Sequence, residues 1–168
     1  RFKAAFPEVA LTLREATSDV QVDALLSGEI DAGLLIAPPV SARPVQLDYR
    51  PLQREPLVVA LPQAWSDEIG GADAAVRFEA IASRPLVLFP RASAPALHDL
   101  VTGHYARHGA TPVIGQEAVQ MQTIVGLVSA GIGLALVPAS MRSLAREGVV
   151  YRPLAGSPPE METGLAWR

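Results

Sequence analysis

Two polar turns in the sequence contain residue types that can hold a carboxylate. Thr17 and Ser18 lie between an alternating apolar segment and an amphipathic one, while Arg91 and Ser93 precede a segment that begins at Pro95. At strand-to-helix turns, hydroxyl groups and the unpaired amides of the first helical turn can bind an anion. Thr17 and Ser18 can equally act only as helix caps, and Arg91 can simply point into solvent.

Other arrangements that resemble chemical motifs have unsuitable spacing or order. His104 and His108 are four residues apart, which permits metal binding on a helix, but no third ligand is close in sequence and a solvated helix face is the favoured interpretation. Gly131 and Gly133 follow a predicted helix and precede a strand, the reverse of the order in a phosphate-binding loop. The sequence therefore predicts no metal, no cofactor and no catalytic residues.

The composition indicates a globular chain without a nucleic-acid-binding face. The 168 residues are 49% hydrophobic, carry a net charge of -3 and include no cysteine. The hydrophobic fraction predicts a buried core, the negative net charge offers no basic surface to nucleic acid, and the absence of cysteine excludes disulfides. No apolar run reaches the ~18 residues of a membrane span and no signal peptide is visible, so we expect no membrane partner. Thirteen of the 14 basic residues are arginine, which we interpret as compositional bias.

Strand and helix patterns alternate along the chain, which predicts an α/β fold. Residues 9–15 and 30–36 are predicted strands, and residues 20–26 form the helix between them, ended by Gly28. Further strands are predicted at residues 57–61, 86–89, 113–117, 134–137, 149–154 and 162–167, and further helices at 78–82, 95–108, 119–130 and 141–147.

Two proline-rich connections divide this pattern. They lie near residues 37–56 and 156–159 and enclose a self-contained middle part. The sequence predicts one lobe from residues 1–55 plus 159–168 and a second lobe from residues 56–158. Two chain crossings form a hinge with a cleft, and clefts between α/β lobes commonly bind small ligands.

Three blocks of sequence resemble the effector-binding domain of LysR-type transcriptional regulators. The first is the Phe-Pro pair at residues 6–7 with the Leu-Leu-Ser-Gly-Glu-Ile-Asp run at residues 25–31. The second is Leu-Phe-Pro-Arg at residues 88–91. The third is the block at residues 127–140, which has the form LV-x-x-G-x-G followed by an apolar run and Pro138. Their order and separation make the resemblance specific over nearly the whole chain.

The resemblance implies a type II periplasmic-binding-protein-like fold, in which each lobe is a mostly parallel sheet flanked by helices. It also implies a cytoplasmic regulator that senses a small organic acid inducer and forms dimers or tetramers through its lobes. DNA would be bound by an N-terminal winged helix-turn-helix that is not in this chain. The first strand of the first lobe and a C-terminal helix are likewise expected to be missing.

The resemblance also implies which residues contact the inducer. Matched positions are Thr17, the start of the second-lobe helix at Pro95, Ala96 and Leu97, and Gln120 at the start of a later helix. Gln120 is equally consistent with an ordinary polar helix start. The branch that responds to aromatic-catabolism acids is the most similar, but Ile36 and Pro56 stand where that branch has basic residues, so muconate is not assigned.

Two other functions remain compatible with the pattern. A solute-binding protein of a transporter shares the fold but needs an export signal, and an enzyme on this fold needs a convergent acid, base or nucleophile in the cleft. The upstream sequence separates the first of these from a regulator. The absence of a persuasive set of reactive residues argues against the second.

Overall fold

The computed structural model describes residues 2–37, 44–69 and 74–168, and these form an α/β structure of four helices and seven strands. Short 3-10 helices occur at Gln63–Trp65, Phe78–Ala80 and Ala139–Leu144. In chain order the main elements are α1 (Phe2–Ala5), α2 (Ser18–Ser27), β1 (Ala32–Ile36), β2 (Asp48–Pro62), β3 (Pro85–Leu88), α3 (Pro95–Arg107), β4 (Val113–Glu117), α4 (Met121–Ser129), β5 (Ala135–Pro138), β6 (Val149–Pro153) and β7 (Glu160–Trp167).

The 15-residue strand β2 belongs to two groups of strands. Its first part pairs with β7, from Asp48 opposite Trp167 to Pro56 opposite Glu160, and β7 in turn pairs with β1. From Leu57 onward, β2 lies between β5 and β6 instead. The change of partners at Pro56 and Leu57 places two different sheet regions on one continuous strand.

The strand directions differ from the predicted mostly parallel sheets. Pairing is parallel between β3 and β4, and a parallel bridge joins Leu86 to Leu134, but β2 runs antiparallel to β5, β6 and β7, and β1 runs antiparallel to β7. Strand β2 accounts for most of the difference, because it pairs with three strands and runs antiparallel to each of them. The fold class is as predicted, with a smaller share of parallel pairs among the described strands.

Two hydrophobic clusters form the core. The smaller one joins α2 to the first sheet region through Leu25, Leu35 and Ala166, all at most 2% exposed. The larger one surrounds the apolar second half of β2 and includes residues of β3, α3, α4 and β5. Strand β1 alternates exposed and buried residues, because one face packs on α2 and the other faces away.

The helix ends follow the sequence signals. Gly28 ends α2 in the left-handed conformation at φ 77°, and its amide donates to the α2 carbonyls, as predicted. Pro95 begins α3 at the first helical position, where its fixed φ is favourable and its missing N–H costs no hydrogen bond.

The predicted strand at residues 9–15 is wrong. These residues follow α1 without regular structure, and apolar side chains on them are exposed, with Leu13 at 85%. An open groove of about 680 Å³ separates them from β1, so in the described chain no strand lies beside them to complete their hydrogen bonds. The connection predicted at 37–56 is also shorter, because β2 begins at Asp48; residues 38–43 lie outside the described residues.

Candidate functional site

The two polar turns are held by hydrogen bonds to neighbouring strands and turns. Thr17 is the extended residue before α2, and the hydroxyl of Ser18 accepts a hydrogen bond from the Ile36 amide at 3.2 Å. This bond ties the start of α2 to the end of β1. In the second turn, the amides of Ser93 and Ala94 donate to the Pro90 carbonyl at 3.1 and 3.2 Å, which fixes the approach to α3.

A cavity of about 420 Å³ lies between the first turns of α2 and α3, and we refer to it as the α2–α3 cavity. Its wall combines aliphatic side chains with a few ionisable groups. It is lined by Ser18, Asp19, Val22, Asp23, Leu35, Ile36, Pro44, Arg91, Ala94, Pro95, Ala96, Leu97 and Asp99.

The structure brings five of the eight sequence-predicted residues to this cavity. They are Ser18, Arg91, Pro95, Ala96 and Leu97. The other three do not line it. Thr17 precedes Ser18 in the same turn, Ser93 lies between Arg91 and Ala94 with its amide bonded to Pro90, and Gln120 is the exposed residue before α4.

The helix starts at this cavity carry amide donors. Thr17 makes no side-chain cap on α2, and the residue before α3 is Ala94, whose methyl group cannot accept a hydrogen bond. Because Pro95 has no N–H, the amides of Ala96 and Leu97 are the first donors of α3. The positive end of a helix dipole adds to the attraction of such amides for a carboxylate.

Arg91 is engaged within the protein. Its Nε and Nη2 donate to the two carboxylate oxygens of Asp99, each at 2.8 Å. These hydrogen bonds from Arg91, followed by the contact with His98, hold the pKa of the Asp99 carboxyl below its usual range, and the same pairing raises the pKa of Arg91. Both side chains are substantially exposed, so the pair is screened by solvent.

Two cavity-lining carboxylates, Asp19 and Asp23, were missed in the sequence analysis. Asp19, Val22 and Asp23 stand at positions i, i+3 and i+4 of α2 and therefore share one helix face. The Oδ1 atom of Asp19 is buried, and no donor in the described part of the chain bonds to it. The helical spacing of Asp19 and Asp23 is visible in the sequence, but which face of α2 lines a cavity depends on how α2 packs against α3.

His104 of α3 and His108, the residue after this helix, pack against Phe78. His104 is only 2% exposed, so the expected solvated face is wrong at this position. Its ring lies edge-on to Phe78, and His108 stacks on Phe78 with ring centroids 4.2 Å apart. Burial first, then the nearby His108 and Arg107, lower the pKa of His104 to about 4. Across residues 2–37, 44–69 and 74–168, no three His, Asp or Glu side chains are grouped so as to hold a metal ion.

The described helices are all too short or too polar to cross a lipid bilayer.

Comparison with known proteins gives a consistent result over the whole chain. The family described as LysR substrate binding domain matches residues 1–168. The HTH-type transcriptional regulator IlvR of Caulobacter vibrioides is 55% identical over 168 residues, which are 100% of this chain and 55% of that protein. The chain thus spans about half the length of the curated relatives it matches.

Solved structures agree with this match. The effector binding domain of a BenM variant superposes with a TM-score of 0.85 at 27% identity, covering 99% of this chain and 76% of the other. The BenM effector binding domain with its effector benzoate gives a TM-score of 0.78 at 26% identity, covering 99% of this chain and 73% of the other. BenM of Acinetobacter baylyi is itself an HTH-type transcriptional regulator.

Proposed function

We propose that this chain, which belongs to the LysR substrate-binding domain family, binds a small organic acid in the α2–α3 cavity as the sensor of a DNA-binding transcription regulator. The observation that carries the proposal is the convergence of two helix N-termini on one cavity of about 420 Å³. That volume is in the range of small-molecule sites, and its mostly aliphatic wall suits an organic ligand.

The amides of Ala96 and Leu97 are the proposed carboxylate site. They belong to the first turn of α3, a helix of 13 residues, and both residues line the cavity together with Arg91. A carboxylate there would accept hydrogen bonds from fixed donors that need no rearrangement. BenM, a relative that shares the fold, is described with benzoate as its effector, which is an organic acid.

The two lobes are proposed to be residues 1–55 with 159–168 and residues 56–158. The two hydrophobic clusters and the exchange of β2 partners between Pro56 and Leu57 support this division. An effector held between α2 and α3 would contact both lobes, and its higher affinity for one lobe angle would shift the population toward that angle.

The remainder of the regulator is proposed by analogy with relatives about twice as long. An N-terminal helix-turn-helix would bind DNA, and the lobes would associate into dimers or tetramers in the cytoplasm, where the DNA is. The open groove beside β1 is proposed to accept a further strand of the first lobe, since the facing edge of β1 has no partner strand in the described chain. A C-terminal helix would complete that lobe.

A sensing role is favoured over the two alternatives. The named relatives are transcriptional regulators, and neither a transporter component nor an enzyme is among those reported above. The ionisable groups at the α2–α3 cavity can position a guest by charge and hydrogen bonding. We therefore propose binding, without catalysis, as the activity of this chain.

Filling the cavity tests the proposal. Ala96 lines the cavity, whereas Ala106 is exposed on the same helix. We expect benzoate, 3-phenylpropanoate or 4-methylpentanoate to raise the melting temperature of the wild-type chain and of Ala106→Phe. The melting temperature of Ala96→Phe should not change when these acids are added. Equal stabilisation of both variants would place binding elsewhere. No stabilisation of the wild-type chain by any organic acid, confirmed by calorimetric titration, would contradict the proposal.

A further inference from the structure

We infer that the effector is a zwitterion: an amino acid with an apolar side chain, whose carboxylate lies at the start of α3 and whose ammonium group is held by Asp19 and Asp23 of α2. The inference rests on the proposed function, because it names the chemical class of ligand for the same cavity. It is carried by the uneven distribution of charge around the cavity wall.

The described wall of the cavity carries more negative than positive charge. Four ionisable side chains line it, and two of them, Arg91 and Asp99, are paired with each other. Asp19 and Asp23 remain, both on one face of α2. A guest that carried only negative charge would share the cavity with two carboxylates on the α2 side. Like charges held in one small cavity repel each other.

Asp19 points to the missing charge most directly. Its Oδ1 atom is buried and accepts no hydrogen bond from the described residues. A buried carboxylate oxygen without a donor is costly, because water no longer solvates it. An ammonium group carries three N–H donors and a positive charge, so a turn of the Asp19 side chain toward it would give this oxygen a donor, and the group could also reach a second acceptor. Asp23, one helical turn further on, is placed to be that acceptor.

The space between the charged ends is apolar. Val22 and Leu35 line the cavity on the α2 side, and Leu97 lines it on the α3 side. Leu35 and Leu97 are at most 2% exposed, so this part of the wall is fixed by the core. A ligand with separated charges and a hydrocarbon side chain therefore matches the wall better than a fully polar amino acid does.

Two matched sets of three compounds test the inference by isothermal titration of the 168-residue chain. One set is L-leucine, 4-methylpentanoate and 3-methylbutylamine; the other is L-phenylalanine, 3-phenylpropanoate and 2-phenylethylamine. Within each set the amino acid is compared with the compound lacking its amino group and the one lacking its carboxylate. We expect an amino acid to bind about tenfold or more tightly than either partner.

Variants then assign the ammonium site. Asp19→Asn should weaken amino acid binding about tenfold and leave the matching acid unchanged or slightly tighter, since one repulsive charge is gone. Asp23→Asn should act in the same direction. Asp67→Asn, an exposed aspartate outside the cavity wall, is the control and should bind like the wild-type chain.

The failures are distinguishable. If the acids bind as tightly as the amino acids, or if Asp19→Asn leaves the preference intact, the zwitterion inference is wrong while the organic-acid sensor stands. If no compound of either set binds and the organic acids of the preceding test also fail, the proposed function falls together with it.

Discussion

Arg91 donates two hydrogen bonds of 2.8 Å to Asp99, one from Nε and one from Nη2, and both residues line the α2–α3 cavity. The fork geometry of guanidinium and carboxylate makes this a specific contact, although both groups are exposed. Arg91 is thus the cationic side chain on the described cavity wall and is already occupied. An incoming carboxylate must use the α3 amides or compete with Asp99.

Releasing Arg91 should therefore raise the affinity for simple organic acids. In Asp99→Asn the competing charge is removed, and we expect 4-methylpentanoate to bind about three- to tenfold more tightly by isothermal titration. Arg91→Gln is the matched variant and should bind the acid no better than the wild-type chain. An unchanged affinity in Asp99→Asn would mean that Arg91 does not reach the bound carboxylate.

His104 should make the fold sensitive to mild acid. Its pKa is lowered from 6.5 to about 4, chiefly by burial. Between these values the unfolded chain binds the proton more readily than the folded chain does, so stability falls as the pH is lowered from 6.5 toward 4 and is fully retained above 6.5. The loss is at most about 3 kcal/mol, as the two pKa values set its limit. Urea unfolding at a series of pH values measures it.

A variant with a non-titrating ring separates this effect from general acid denaturation. His104→Phe keeps an aromatic ring against Phe78 and should flatten the stability profile between pH 4 and 6.5. His98→Gln removes an imidazole from the same helix and should keep the wild-type slope. A slope in His104→Phe as steep as in the wild-type chain would show that other groups cause the acid sensitivity.

The sequence predicted the local elements well where a pattern is repeated within a few residues. The buried strand ending at Ile36, the helix that starts at Pro95 and the stop at Gly28 are all recognisable from apolar spacing and special backbone residues. Residues 9–15 show the limit of this reasoning. Their alternation is that of a strand, but a strand also needs a partner, and the described chain leaves an open groove there.

The candidate site was predicted in part for the same reason. Helix starts can be located from sequence, which is why Ser18 and Pro95 were expected near a ligand, and both line one cavity. The pairing of Arg91 with Asp99 and the exposure of Asp23 to that cavity depend on how two distant segments pack. Arg152 is the strongest example, because it was interpreted as compositional bias although it is 1% exposed.

Arg152 should prove essential for stability. Its guanidinium donates to the Ala74 carbonyl at 2.8 and 2.5 Å and to the Ile69 carbonyl at 2.9 Å, and so joins β6 to both of these residues. Arg152→Met leaves the Ala74 and Ile69 carbonyls without their hydrogen-bond donor. We therefore expect it to lower the free energy of unfolding by about 2–4 kcal/mol in urea titrations. Arg142→Met, at an exposed position, should stay within about 0.5 kcal/mol of the wild-type chain. Similar free energies of unfolding for both variants would contradict this stabilising role of Arg152.

Gly126 and Gly133 should respond oppositely to alanine. A Cβ on Gly126, inside α4, meets no described atom within 4 Å beyond its chain neighbours and the backbone of its own helix. Gly126→Ala should therefore stabilise the protein by up to about 1 kcal/mol through the higher helix propensity of alanine. A Cβ on Gly133 would lie 2.6 Å from the Pro85 carbonyl oxygen, and that oxygen also accepts the Leu134 amide at 2.9 Å. Relief requires backbone movement between β3 and β5, so Gly133→Ala should destabilise by more than about 1 kcal/mol. Thermal unfolding of the two variants side by side tests this prediction. A Gly133→Ala protein as stable as Gly126→Ala would mean that the backbone at Pro85 can move away from the added Cβ at little cost.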